Sequence, residues 1–239
     1  MASGQIIFYD LASKPPNKSW SLNPWKTRFL LNYKGLDYKT EWLQYPEIKP
    51  RFKDHLPAAD LYTIPTVTLP DGTWVTDSQK IADTLEKQHP EPSLHLDSPL
   101  LPKVQDLVTK ALIAIVPILV PRVPKYVLDE ASKLYWYENR EKTYGPLDQL
   151  EAEKGGELAL NAAAPHLREL TALLKENTDG PFFLGNTVSY ADFVYAGFLI
   201  CLNKLGDDTK EGLLNATGDA GVTLKLLEAV EPWAKRDDH

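Results

Sequence analysis

The sequence predicts a small mixed α/β domain followed by an all-helical domain, and three observations carry that reading. Strand signals cluster before residue 90. A proline-rich stretch with Pro90, Pro92, Pro99 and Pro102 follows. Beyond it apolar residues recur only at helical spacing. The boundaries read 1–90 for the first domain, 91–102 for the linker and 103–239 for the helical part. A chain of 239 residues is long enough to give each part its own core.

Gln5–Leu11, with Ile6, Ile7, Phe8 and Tyr9, is a short apolar strand, and the polar loop Ala12–Asn23 follows. Pro24–Gly35 is helical: Pro24 suits a first turn, Phe29 and Tyr33 lie i,i+4, and Gly35 is a C-cap. Tyr38–Tyr45 is a second strand, and the basic segment Pro46–Leu56 is counted as the second helix. Next comes Ile64-Pro65-Thr66-Val67-Thr68-Leu69, the turn Asp71-Gly72, and Trp74-Val75-Thr76, which together read as a hairpin. Ser78 is placed as the N-cap of a helix over Gln79–Lys87 that Pro90 stops. The order β-α-β-α-β-β-α implies a parallel first pair of strands and an antiparallel hairpin edge.

Helical spacing then runs through Lys103–Val120, Asp129–Tyr144, Glu157–Asn177, Ser189–Leu205 and Thr223–Lys235. Pro117, Pro121 and Pro124 are expected to kink or break the end of the first of these, and Pro165 either to do the same inside the third or to mark the first turn of a new helix. The acidic stretch Asp207–Asp219 reads as a solvated loop.

Composition narrows the function classes. A net charge of −7 with no basic stripe argues against nucleic acid. Cys201 is the one cysteine, so neither an intrachain disulfide nor a two-thiol redox motif is available. The opening Met1-Ala2-Ser3-Gly4-Gln5 lacks a secretory n-region and h-region, and the apolar run Ala111–Val120 is short for a bilayer and holds Pro117. A cytoplasmic protein with no membrane partner is the expectation. The five histidines show no metal spacing, and no P-loop, nucleophile elbow or dinucleotide fingerprint is present.

The informative corner is Ile64-Pro65 with Asp77-Ser78. A helix start there offers free N–H groups and a positive dipole end beside a carboxylate. The N–H groups and hydroxyl can take a ligand carboxylate while Asp77 takes its ammonium. A cis bond at Pro65 would turn the Ile64 backbone toward a ligand. Such a corner suits a small zwitterionic peptide.

This order of elements, with Ile-Pro before the hairpin and Asp-Ser after it, resembles the thioredoxin-like domain of glutathione transferases. Phe183-Leu184-Gly185-Asn186-Thr187-Val188-Ser189-Tyr190-Ala191-Asp192-Phe193 resembles the helix-start signature of their second domain, and it contains a capping box of Ser189 and Asp192. The stretch Ser19-Trp20-Ser21-Leu22-Asn23-Pro24-Trp25-Lys26-Thr27-Arg28, with Tyr33-Lys34-Gly35-Leu36, is similar to the fungal FuA class, relatives of etherases that cleave aryl ethers with glutathione.

The resemblance implies a transferase with glutathione as co-substrate, a serine that stabilises its thiolate, and a homodimer. Ser21 is favoured over Ser19 for that role, with Asn23 as a second polar contact; Leu22 stands where many relatives have proline. Ile64 and Pro65 are implied contacts of the cysteinyl part, and Asp77 and Ser78 of the γ-glutamyl end. Lys49, Arg51, Lys53 and His55 compete for the glycine carboxylate, with Lys53 preferred. A hydrophobic aromatic or polyphenolic substrate is expected between Leu22–Trp25 and the proline-kinked stretch Val116–Tyr126, with Ile118, Leu119, Val120, Val123 and Tyr126 as candidates and Tyr135-Trp136-Tyr137 as further walls. Conjugation, ether cleavage and peroxide reduction all fit such a site. The alternative is a mainly non-catalytic protein that binds aromatic compounds on the same scaffold.

Overall fold

A computed structural model describes residues 4–57 and 60–239; Met1–Ser3, part of the opening read for a leader, lie outside them. Strand β1 is Ile6–Leu11, helix α1 Leu22–Tyr33, strand β2 Tyr38–Leu43 and helix α2 Tyr45–Phe52. Strands β3 (Thr66–Thr68) and β4 (Trp74–Thr76) lead into α3 (Ser78–Gln88). The sheet order is β2-β1-β3-β4, with β1 and β2 parallel and the hairpin antiparallel, as the sequence predicts. Three residues, Pro70 to Gly72, close the hairpin: Leu69 N–H donates to Thr73 O, and Gly72 takes φ +87°.

Local chemistry accounts for the boundaries. The end of α1 is a Schellman motif: Gly35, at φ +62°, donates to Asn32 O and Leu36 donates to Leu31 O. The second strand ends earlier than predicted because Gln44 caps α2, with Glu47 completing a capping box, so Pro46 sits in a first turn.

The helical part comprises α4 (Leu100–Tyr126), α5 (Glu130–Tyr144), α6 (Leu147–Lys154), α7 (Gly156–Glu176), α8 (Tyr190–Asn203), α9 (Asp207–Ala216) and α10 (Ala220–Ala234). Two expectations are corrected. The acidic stretch after Leu205 is not a loop: Asp207 and Asp208 occupy the first turn of α9, where negative charge is favourable, and Asp219 caps α10. The three prolines do not break α4, and Pro165 lies inside α7. Pro124 cannot donate to Val120 O, and that carbonyl instead accepts the Trp136 indole N–H at 2.9 Å. Burial of Pro121 and Pro124 holds the rest of the turn in place.

At 27 residues α4 has the length and apolar character of a bilayer span, longer than the run the sequence suggested. Half of its most apolar window is buried inside the molecule, where it packs on α6, α7 and α8. The two parts meet along α1, which lies against α8. A Cβ at Gly197 would stand 3.1 Å from Leu22 O and 3.2 Å from Trp25 Cβ, so glycine there lets α8 approach the first turn of α1.

Candidate active site

Helix α3 begins at an unusual residue. Asp77, rather than Ser78, is the N-cap, with φ +79° and its Oδ1 accepting from Gln79 N–H at 2.9 Å and Lys80 N–H at 3.1 Å. A non-glycine residue in this region is strained, and such strain gathers at binding sites. Ser78 is displaced to the first helical position, and its carbonyl accepts the Tyr190 hydroxyl at 3.0 Å. Gln105 of α4 donates to Gln79 Oε1 at 2.7 Å. The helical domain therefore braces the corner from two sides.

At the start of α1, Ser21 is the N-cap in extended conformation, and its hydroxyl makes no cap bond. Ser19 is fully buried and donates to Asp10 Oδ2 at 2.7 Å, which commits its hydroxyl to the core. The Ile64–Pro65 bond is cis. Ile64 precedes the paired residues of β3, so the strand ladder leaves its N–H and C=O unused.

These groups line two cavities that share Asn23, Thr63 and Ile64. The first, of about 420 Å³, holds Leu22, Lys26, Pro65, Asp77 and Ser78, together with Gln105, Thr109 and Tyr190 from the helical part. The second, of about 560 Å³, holds Ser21, Tyr45, Ile48, Lys49, Tyr62, Tyr135, Trp136 and Arg140. Tyr45 and Tyr135 are near-parallel at 6.0 Å, and Trp136 meets Tyr45 edge-on at 5.3 Å. The wall is fixed by hydrogen bonds between α2 and α5: Tyr45 N–H donates to Ser132 Oγ at 3.2 Å, and Gln44 bonds both Ser132 and Asp129.

Several sequence expectations change. Lys53 lines neither cavity: α2 ends at Phe52, and only its first turns, carrying Tyr45, Ile48 and Lys49, face inward. Arg51 is held by Glu41 at 2.7 Å and by Tyr9, and His55 stacks on Trp74 at 4.3 Å, so Lys49 is the cavity-facing member of the four. Val120 and Val123 are core residues because α4 continues unbroken, and Leu119 is half-buried against that core. Trp25 is buried against Phe29. Leu22 faces the first cavity rather than the aromatic one. The stripe of α4 that does reach a cavity is Gln105, Val108, Thr109 and Leu112. Cys201 is buried and its thiol is pushed up to about 12 by that burial, which leaves it unreactive.

Lys26, Tyr45, Tyr62 and Arg140 were not anticipated. Lys26 had a signal: it lies three residues after Asn23 and so shares its helical face. Tyr45 was hidden by the assignment of its segment to the preceding strand.

Comparison with known proteins identifies the family. The model of the glutathione S-transferase N-terminal domain matches residues 20–88 and that of the C-terminal domain residues 103–233. Glutathione transferase GSTFuA3 of Phanerochaete chrysosporium superimposes with a TM-score of 0.83 at 29% identity, covering 96% of this chain and 97% of that one. A glutathione S-transferase of Ceriporiopsis subvermispora, solved in complex with glutathione, gives 0.82 at 30% identity over 96% and 98% of the two chains. The glutathione S-transferase-like protein ustS of Aspergillus flavus is 29% identical over 81% of this chain and 79% of its own length. With both halves of the chain matched in order by the family's two domain models, this chain belongs to the glutathione transferase family.

Proposed function

We propose that this glutathione transferase activates glutathione with the Ser21 hydroxyl and directs the thiolate at a hydrophobic aromatic electrophile held in the aromatic-walled cavity. The observation that carries the reading is the Ser21 hydroxyl, free of any capping bond, at the N-terminus of α1 and on the wall of that cavity. In this reading the γ-glutamyl end sits at Asp77 and Ser78, and the cysteinyl backbone runs along Ile64 beside Pro65. The glycine carboxylate meets Lys49, with Asn23 at the junction of the two cavities. Lowering the thiol pKa by about two units requires roughly 2.7 kcal/mol of preference for the thiolate. One hydrogen bond to a charged acceptor, about 1.5–3 kcal/mol, together with a helix terminus at about 0.3–1 kcal/mol, supplies it. A serine forms no mixed disulfide, so the chemistry is conjugation, ether cleavage or peroxide reduction by bound glutathione. Assembly as a homodimer is carried over from the family resemblance.

The aromatic cavity also fits a protein that sequesters polyphenols with little turnover. Ser21→Ala separates the two readings. In the transferase reading, turnover falls roughly a hundredfold while glutathione and aromatic-ligand binding persist. Unchanged conjugation rates would remove Ser21 from the mechanism and leave the sequestering role.

A further inference from the structure

The first cavity has one cation and one anion among its described lining residues, Lys26 and Asp77; every other side chain there is neutral. Lys26 stands on α1 one turn from Asn23, while the residues after it are committed to the core, Thr27 by burial and Arg28 by its bond to Asp10. Among the described residues, no side-chain hydrogen bond or ion pair accounts for Lys26 itself. Burial pushes its amine down to about 8, and the Asp77 carboxylate pulls it only part of the way back. A half-buried ammonium without a partner is a cost to the free protein, and that cost is recovered only when an anion arrives.

Asp77 is likewise only half used, since Oδ1 caps α3. Because that cap consumes the N–H groups of Gln79 and Lys80, the donors left at the first helical position are the Ser78 N–H and hydroxyl. A carboxylate settling there finds hydrogen bonds but no formal positive charge from α3, and Lys26 lines the same cavity, near enough to Asp77 to feel its charge.

We propose that Lys26 receives the α-carboxylate of the γ-glutamyl end, so that Lys26 and Asp77 form a two-charge clamp selecting thiols that carry a free α-amino-acid terminus. This rests on the glutathione reading of the cavity. It assigns Lys26 to binding rather than to thiolate stabilisation, because the residue that caps α1 at the other cavity is Ser21.

The test compares glutathione with 4-aminobutanoyl-Cys-Gly, which lacks only the α-carboxylate, by calorimetry on wild type, Lys26→Met and Lys26→Arg. Lys26→Met is expected to weaken glutathione binding about tenfold or more and to leave the analogue unchanged, and Lys26→Arg to retain most of the affinity. In turnover the loss should fall on the KM for glutathione, with kcat and the pH profile of thiol ionisation unmoved. An equal loss on both ligands, no loss on glutathione, or a shift of the thiol profile would overturn the assignment. Wild type that binds no glutathione would instead sink the reading of the whole cavity, a result distinguishable from wild-type binding that Lys26→Met leaves intact.

Discussion

Asp77 does two jobs from one strained position, capping α3 through Oδ1 at φ +79° and presenting a carboxylate to the first cavity. Glycine accepts that conformation freely, and a glycine N-cap costs only a few tenths of a kcal/mol. Asp77→Gly should therefore leave the unfolding midpoint nearly unchanged while glutathione affinity falls, whereas Asp77→Ala should lose about 2 kcal/mol from strain and cap together. Denaturation and calorimetry on both variants check this; equal destabilisation would mean that the φ value carries no strain. The pair Asp77-Ser78 was legible in the sequence, but which of the two caps was not, because both residue types are good N-caps and only the backbone angle decides. Lys26 gives a second residue-scale prediction. Its folded pKa of about 8 lies below the ordinary 10.5, so between those values the unfolded chain holds a proton that the folded chain has lost. Stability contributed by this residue therefore rises with pH across that window. Asp77 and Tyr190 are the other titratable groups lining its cavity, and α4 brings only Gln105 and Thr109 as polar groups. Lys26→Met should exceed wild type in apo stability at pH 7, and the gap should close toward pH 10. A gap that widens would contradict the desolvated amine.

At the scale of elements, the capping box of α8 was readable and its weight was not. Asp192 is fully buried and accepts from Ser189 N–H at 2.7 Å, Ser189 Oγ at 2.8 Å and Phe183 N–H at 2.9 Å. It thus ties the Phe182–Thr187 turns to the helix that packs against α1. Three donors favour the carboxylate, yet burial outweighs them and pushes its pKa up to about 6. Asp192→Ala orphans two buried N–H groups as well as the cap, and should cost about 3 kcal/mol or more, read as a shift of the urea midpoint. A loss below 1 kcal/mol would reduce the box to an ordinary surface cap. The elements that the sequence left unread share a physical reason. Helix α6 buries only Leu147 and Leu150, and α9 only Thr209 and Leu213, so neither carries a long apolar stripe. Helix α4 misled in the opposite direction: its prolines looked like breaks, but the Val120 carbonyl finds the Trp136 indole, a partner many residues away. With α4 unbroken, Val120 and Val123 lie in the core, and the aromatic side chains that line a cavity are Tyr45, Tyr135 and Trp136.

Across the whole molecule, one buried ion pair joins the parts that place Ser21. Arg28 and Asp10 are both fully buried and meet at 3.0 Å. The guanidinium also donates to Thr40 Oγ1 at 3.1 Å on β2 and to the carbonyls of Arg236 and His239 at 3.3 and 3.0 Å. Asp10 in turn accepts from Ser19, whose N–H reaches Asp237 O at 2.7 Å. The segment after α10 is thereby clamped to β1, β2 and the loop two residues before Ser21. Burial pushes the Asp10 carboxyl up, with Arg28 the chief group pulling it back. Removing Arg28 leaves a buried carboxylate unpaired, a loss of about 3–5 kcal/mol. The pair itself is not a large stabiliser, because replacing both partners with neutral groups is often near neutral. Arg28→Met should therefore be strongly destabilising at pH 7, and Asp10→Asn/Arg28→Met should recover much of the loss. The pH dependence has a definite sign. Without Arg28 the folded carboxyl titrates further above its unfolded value, so the folded state takes up a proton as pH falls and the deficit of the single variant shrinks toward pH 5. Urea denaturation of the three proteins at both pH values measures this. Additive single effects with no dependence on pH would show that Arg28 acts through packing alone, and Ser21 would then owe its placement to the Gly197 contact between α8 and α1 instead.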